Sequence, residues 1–547
     1  MDLFNSILGT LNGILWHNIA LYIVLASGVL FTFWSGFSQY RALTHGTRVI
    51  TGKYDQEGGQ GAITHFQALS AALSATVGLG NIAGVAIAIA LGGPGAVLWM
   101  WIVGFLGMAL KSTEVTLAMI HRNTDDANNP HGGTMWILRR TAEQQSGALK
   151  AFGLFMAGVF CICVLAMGIT GGNMFQAWSV GDITQTYIGV PPWVSGTILA
   201  VVVGVTIIGG VKRIGQVASL IVPIMCGIYV VAGLFVVFSN IAELPSILSS
   251  IFTSAFSGTE AQGAFIGGSA GYAFMWGMKR ALFSSEAGMG SAPIAHSAVK
   301  TREPVREGVV AGLEPFIDTL VVCSITAFVL LSTGMWNRDA DLQLSTAPSF
   351  EQTATSWQAS PSVLPDGHGL GEGTGVFLIA AADANGDTGS NQLKVSGTVS
   401  GNQVAWNSGD QKIQPTVTDN GVYANYIGAT LTAKAFDTSL SGLGWVIFVA
   451  VWFFAISTMI SWSYYGEQAT IYLFGNRGVT PYRVIYCLLA IVACSGIVKT
   501  TVELDNISAL GAGMMLWVNI PVTLILGYKA MSAYKAYIAR LKAGEFE

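Results

Sequence analysis

Ala75-Thr76-Val77-Gly78-Leu79-Gly80-Asn81-Ile82-Ala83-Gly84-Val85 lies inside an apolar run, 63–92, that is long enough to cross a bilayer. Glycine costs about 1 kcal/mol against alanine in a helix interior. Two of them within three residues, flanked by the polar Thr76 and Asn81, predict a break in the middle of the helix. At bilayer depth an irregular backbone survives only where it is buried in protein or lines a cavity. Its freed amides and carbonyls then become ligand groups, so the run predicts a binding site at mid-membrane.

The composition fits that setting. Of 547 residues, 52% are hydrophobic and only 10% charged, with mean hydropathy +0.56. A soluble domain carries about 25% charged residues. Eleven apolar segments of spanning length follow one another, near 13–36, 63–92, 95–120, 150–178, 192–210, 215–238, 262–284, 307–333, 442–473, 482–498 and 506–527. They predict an all-α polytopic membrane protein with 11 transmembrane helices. Met1-Asp2 lacks a basic leader region, so the first segment reads as a span rather than a cleaved signal. The cysteines Cys161, Cys163, Cys226, Cys323, Cys487 and Cys494 all fall in apolar spans, which predicts small core residues and neither disulfides nor zinc.

Twenty of the 26 basic residues fall in alternate loops and the C-terminal tail, among them Arg41, Arg122, Lys212, Lys300, Arg477 and Lys529. The positive-inside rule then puts the N-terminus outside and the C-terminus in the cytoplasm of a cell (inner) membrane. Segment 335–440 departs in composition, with ten acids against four bases. It falls on the outer side, and alternating runs such as Gln392–Val399 predict a small extracytoplasmic β-rich insert. Asp383-Ala384-Asn385-Gly386-Asp387 resembles a calcium loop only in part, because the distal glutamate of an EF-hand is missing, and reads as a solvated turn. The chain divides into an N-terminal helix and loop, 1–62; five spans, 63–238; five more, 262–334 and 441–528; the insert, 335–440; and a tail, 529–547.

No Ser/His/Asp, HExxH or Walker pattern is present, and the seven histidines lack metal-ligand spacing, so the chain does not read as an enzyme. Intramembrane ionisable residues are functional candidates by default. Lys111 with Glu114, and Arg280 with Glu286, read as pairs for an inner gate or for structure, as do Glu314 and Asp318 at i and i+4.

Longer motifs identify a family. Ala72–Val85 leading into Ala90–Ala96, Gly172-Asn173-Met174-Phe175-Gln176-Ala177, Leu282–His296, Phe454–Thr458 and Trp462–Glu467 resemble the alanine or glycine:cation symporters, sodium-coupled amino acid carriers. The resemblance covers about 1–335 and 428–530. It implies a leucine-transporter-like fold of the amino acid–polyamine–organocation superfamily, a 5+5 inverted repeat with two broken helices. The orientations agree, since spans 2–6 start inside and spans 7–11 start outside. The seventh span carries Gly263, Gly267, Gly268 and Gly271, the counterpart of the first break.

The resemblance implies import of a small neutral amino acid, alanine or glycine, with Na+ and no organic cofactor. The substrate carboxylate would meet backbone amides near Gly78, Leu79, Gly80 and Asn81 at a half-helix N-terminus. Carbonyls at Thr76 and along Phe265, Gly267 and Gly268 suit the ammonium. Gln176 stands at the family's substrate-contacting glutamine, with Asn173 one turn before it, and Phe265 and Trp462 align with aromatic walls. Ser457 and Thr458 hydroxyls, with carbonyls of Ser74, Val77 and Phe454, form the implied sodium site; a second ion at Asn81 is a further option. Trp178 and Ser285 stand where the family usually has Asn. Alternatives are a same-fold carrier using H+ or another small amino acid, a membrane receptor or sensor using the insert, and a channel.

Overall fold

The computed structural model describes residues 2–54, 59–127, 129–352, 357–381, 392–407, 415–417, 420–426, 428–497 and 501–546. Asp383–Asp387 lies outside these. Seven helices among the described residues are long and apolar enough to cross a membrane: Ile7–Trp34, Ala96–His121, Gly147–Ile188, Gly210–Ser239, Pro304–Ser332, Gly444–Phe474 and Asn506–Lys542. His65–Thr76 and Gly80–Gly92 make an eighth span if counted together, bent by 49° at the break. The remaining three apolar segments lie on shorter helices, Pro192–Ile207, Ala270–Ser285 and Val479–Ala493. The chain is thus a helical integral membrane protein.

Burial sorts the helices. In Ala96–His121, 72% of the apolar window is buried inside the molecule; in Gly210–Ser239 only 33% is. The first is a central helix and the second faces lipid, exposing Leu220, Ile224, Val231, Phe235 and Phe238. The central helix can therefore hold Lys111 and Glu114 fully buried, because polar partners surround it there. Among the described residues, four helical stretches take the wider π-helical turn: Ala42–Gly46, Gly80–Gly84, Thr170–Met174 and Phe316–Cys323. Such turns leave ladder groups for other partners and recur at functional sites.

The polar insert folds as strands, as its alternating pattern predicts. One sheet runs Leu342–Gln343, Gly421–Ala424, Gly375–Ala381, Gln392–Ser400, Gln403–Trp406 and Ser362–Val363, with Thr416–Val417 also pairing on Gly375–Ala381. Phe350–Gln352 and Trp357–Ala359 form a separate antiparallel pair. Every second residue of Gln392–Ser400 from Leu393 to Val399 is buried, with Leu393, Val395 and Val399 in the insert's own apolar core.

Residues Gly263–Gly271 do not form a mid-helix break. Gly263 and Gly267 adopt positive φ, and Thr259 pairs with Gly268 and Gln262 with Phe265. The segment is a tight hairpin that pairs with itself at two positions; the helix begins at Ala270, capped by the Ser269 hydroxyl. Its irregularity lies at the other end instead, where Glu286 (φ 52), Gly288 and Gly290 are left-handed.

Candidate functional site

Helix His65–Thr76 starts with a capping box, Thr64 and Gln67 bonding reciprocally. It ends at Val77, whose ψ of 86° turns the chain out of the helix. Asn81 then closes the break. Its Oδ1 accepts from the Gly78 amide at 2.9 Å, and its Nδ2 donates to the Asp318 carboxylate and to Ser284 Oγ. Asp318 also accepts from Ser284 and Thr319 hydroxyls, each at 2.7 Å. The Asn81 carbonyl accepts from Thr326 Oγ1 at 2.9 Å. One fully buried side chain therefore ties the break to the helices on either side of it.

A cavity of about 60 Å³ opens against this break. Ala75, Thr76, Gly78 and Gly80 form one wall, and Gly80 has open space where a Cβ would point. Gln176 and Phe175 face it from across, beside Gly171. Gln176 Nε2 donates to the Gly171 carbonyl at 3.0 Å, while its buried Oε1 has no partner. Trp462 forms another wall and is seated against Gly168 and Gly172; a Cβ at Gly172 would overlap the indole. Arg280, Phe283 and Glu286 close the cavity from the end of Ala270–Ser285. A larger apolar groove of about 270 Å³ lies between the N-terminal helices and Leu516–Ile525. It carries no polar group suited to an amino acid.

The break also meets Gly444–Phe474. Ser74 Oγ donates to the Ser457 carbonyl at 2.6 Å. A Cβ at Gly78 would come within 2.5 Å of Thr458 Oγ1, so glycine is needed for this approach. Ser457 Oγ makes the local bond to the Phe454 carbonyl at 3.0 Å, whereas the buried Thr458 Oγ1 has no partner. Ser74, Val77, Phe454, Ser457 and Thr458 thus sit at one helix junction, with one hydroxyl uncommitted.

Of the residues singled out from sequence, Thr76, Gly78, Gly80, Gln176, Trp462 and Thr458 line the cavity. Leu79 is buried beside the break, outside the lining. Asn173 turns away, its Nδ2 donating to the Tyr486 carbonyl at 2.6 Å. Phe265 stacks edge-on against Trp336 at 5.0 Å, and with Gly267 and Gly268 belongs to the hairpin rather than to this cavity. Arg280 and Glu286, by sequence a pair for an inner gate or for structure, are cavity walls. Glu286 accepts from Ser291 Oγ at 2.5 Å. Lys111 is paired with Glu314 at 3.3 Å and donates to the Ser285 carbonyl at 2.7 Å, while Glu114 accepts from Asn519 at 2.8 Å. Adjacency in sequence points to Glu114; the tertiary fold supplies a second acid from another span. Trp178 lines a neighbouring chamber with Asp182 and Gly428.

The profile of the sodium:alanine symporter family matches residues 1–361 and 415–547, leaving out the middle of the insert. The chain is 34% identical over 534 residues to the sodium/alanine symporter AgcS of Methanococcus maripaludis, covering 98% of this chain and 97% of that one. It is 30% identical over 502 residues to a sodium/proton-dependent alanine carrier protein of Bacillus sp. (strain PS3), covering 91% and 92%. Among solved structures, MhsT in complex with L-phenylalanine aligns over 88% of this chain and 99% of that chain, at 14% identity and a TM-score of 0.48. The chain belongs to the sodium:alanine symporter family, and is a transporter rather than an enzyme.

Proposed function

We propose that the chain imports alanine or glycine together with sodium, by alternating access, across a cell membrane with its N-terminus outside and its C-terminus in the cytoplasm. The observation that carries this is the cavity at the helix break, with the unpartnered Gln176 Oε1 on one side and the unpartnered Thr458 Oγ1 on the other. A buried polar atom without a partner costs about 1–3 kcal/mol. Two of them on one cavity favour an occupant that bonds both sides, an ammonium at Gln176 and a cation at Thr458.

Size supports a small substrate. A water-sized group needs roughly 10–15 Å³ of such space, so about 60 Å³ suits the five or six heavy atoms of glycine or alanine. The carboxylate goes to the amide of Gly80, which lines the cavity, with that of Leu79 behind it, at the start of the half-helix that resumes after the break. Gly78 is already bonded to Asn81 and the Asn81 amide to the Gly78 carbonyl. The Thr76 carbonyl and Gln176 take the ammonium, and Trp462 limits the side chain. Thr458, Ser457 and the carbonyls of Ser74, Val77 and Phe454 take sodium. The eleven-span, 5+5 inverted arrangement belongs to the same reading. It gives two bundles that rock about this site.

The coupling is energetically adequate. One charge moving through 100 mV is worth about 2.3 kcal/mol, or roughly 40- to 50-fold accumulation before any sodium gradient is added. The test is uptake of labelled alanine and glycine into proteoliposomes, with and without an inward sodium gradient, competed by serine, leucine and D-alanine. Sodium-dependent accumulation blocked by small competitors is expected. Accumulation driven equally well without sodium would overturn the coupling, and preference for leucine would overturn the size argument.

A further inference from the structure

Away from the cavity wall, five buried ionisable side chains form one continuous line of hydrogen bonds closed by an ion pair. His65 Nδ1 meets Glu307 Oε2, and Glu307 Oε1 meets His296 Nδ1 at 2.5 Å. His296 Nε2 meets Glu314 Oε1, Glu314 Oε2 meets Lys111 Nζ at 3.3 Å, and Lys111 reaches the Ser285 carbonyl. Side-chain exposure along the line is 3% at His65 and zero at Glu307, His296, Glu314 and Lys111. The next residue, Glu286, is a wall of the cavity.

The decisive group is His296, because both its ring nitrogens face carboxylates. A neutral imidazole has one N–H and one lone pair, and an ionised carboxylate offers only lone pairs. One of the two contacts would then set lone pair against lone pair in a dry interior. The geometry is satisfied only when one more proton is present, on the imidazole or on a carboxyl. Charge agrees. Lys111 and a cationic His296 oppose the carboxylates of Glu307 and Glu314 charge for charge, whereas a buried charge left without such a partner is strongly unfavourable.

The line also joins two helices that border the cavity. His65 opens the helix that runs to the first break, and Ser285 ends the helix whose far side bears the hairpin. Glu307, Glu314 and His296 lie between them, and Ile63 bridges Val299 beside the same end. Under the proposed alternating access, opening the cavity toward this end would part His65 from Ser285.

We propose that this line is a proton-binding site, one bound proton holding the cavity closed at the end opposite the insert, and its loss accompanying opening. The ligand is a proton, taken up from or released to water as the latch closes or opens. The inference deepens the proposed function and rests on that reading for its role in transport. The site itself does not depend on which substrate is carried. Other charged groups face the line. Lys111, Glu114 and Arg122 come from the central helix and its end, Glu286 and Asp318 from the helices beside the cavity, and Tyr465 from Gly444–Phe474. His296 lies in the link between two spans. Burial alone would lower its pKa, but Glu314 and Glu307 outweigh burial and raise it to about 9. A group raised above its free value of about 6.5 stabilises the fold below that value, and the contribution is lost as pH climbs through about 9.

The full-length purified protein tests this with two variants, His296→Gln and Glu307→Gln. In the second, the amide placed at position 307 donates to a neutral His296, so it keeps the bond and removes the need for the proton. Potentiometric titration between pH 6 and 10 should show about one fewer titrating proton per chain in Glu307→Gln, and no imidazole titration at this position in His296→Gln. Unfolding temperature should fall over pH 7–10 more steeply in the wild type than in Glu307→Gln. In proteoliposomes the wild type's dependence of sodium-driven uptake on pH over 7–10 should flatten in Glu307→Gln. Equal proton counts and superimposable pH profiles would overturn the proposal. Titration needs no substrate, so a wild type that titrates as expected but carries no alanine would contradict the transport reading alone, and the converse would contradict the proton site alone. If His296→Gln does not fold, Glu307→Gln carries the test.

Discussion

Two irregular, glycine-rich segments are held in opposite ways. The break at Val77–Asn81 is braced from within by one side chain, Asn81, which bonds Gly78, Ser284 and Asp318. The hairpin Thr259–Gly268 is braced from outside. The Ala264 amide donates to the Arg338 carbonyl at 2.9 Å, Arg338 bonds the Ala424 carbonyl in the insert, and Ala264 clusters with Phe377, Ile379 and Tyr423 of the sheet. Both stretches are glycine-rich in sequence, yet only the first lines the cavity. A brace made of one buried polar side chain leaves backbone free for ligands. A brace made of backbone pairing and an apolar sheet consumes it.

The sharpest way to break this contrast is Asn81→Ala. It leaves the buried Asp318 carboxylate short of a donor and the Gly78 amide unpaired, each costing about 1–3 kcal/mol, read as a large fall in unfolding temperature together with loss of uptake. A stable variant with normal uptake would show that the break is held by something else. Gly263→Ala comes next. Left-handed backbone costs a non-glycine residue about 1–2 kcal/mol, and its Cβ would overlap the Asn337 carbonyl. Faster protease cleavage within the insert is expected, with sodium affinity unchanged. A matching loss of sodium affinity would mean the hairpin shares the ion site after all.

Thr458→Val removes a hydroxyl that has no protein partner, so stability should stay within about 0.5 kcal/mol. The sodium concentration for half-maximal uptake should rise on the order of tenfold, or about 1.4 kcal/mol. No change in sodium dependence would remove Thr458 from the ion's shell. The smallest effect concerns the insert. Burial and the charge of Arg338 push the Lys394 ammonium down to about 8, above the Phe377 ring at 4.3 Å. Since an unfolded lysine titrates near 10.4, this group destabilises the fold at neutral pH and ceases to do so as pH rises through about 8 to 10. Lys394→Met should therefore be more stable than the wild type at pH 7, and the gap should close by pH 10. A gap that is constant with pH would contradict this.

Much of this is legible in the sequence. Gly78 and Gly80 inside an apolar run, the alternating pattern of Gln392–Val399 and the motifs through Leu282–His296 carry the break, the strands and the family. Less legible is which glycines unwind a helix. Gly263 and Gly267 signal irregular backbone as strongly as Gly78 does, but composition does not say whether that backbone bonds to itself in a hairpin or stays open. The cavity role of Arg280 and Glu286 escapes the sequence for a similar reason. Charges near a helix end suggest a gate, and only the left-handed turn at Glu286 brings that end to the pocket.

By itself the sequence determined that the chain spans a membrane, that one span breaks at Gly78–Gly80 and that a polar insert stands apart. These follow from local hydropathy, glycine's backbone cost and residue alternation. The tertiary structure alone decided the partners. Asn81 meets Asp318 across 237 residues, His65 meets Glu307 across 242, and Lys111 takes Glu314 rather than its neighbour on the same helix. A buried charge must find compensation wherever the fold brings it, and nothing in the local pattern around Lys111 or His65 records which distant segment that will be.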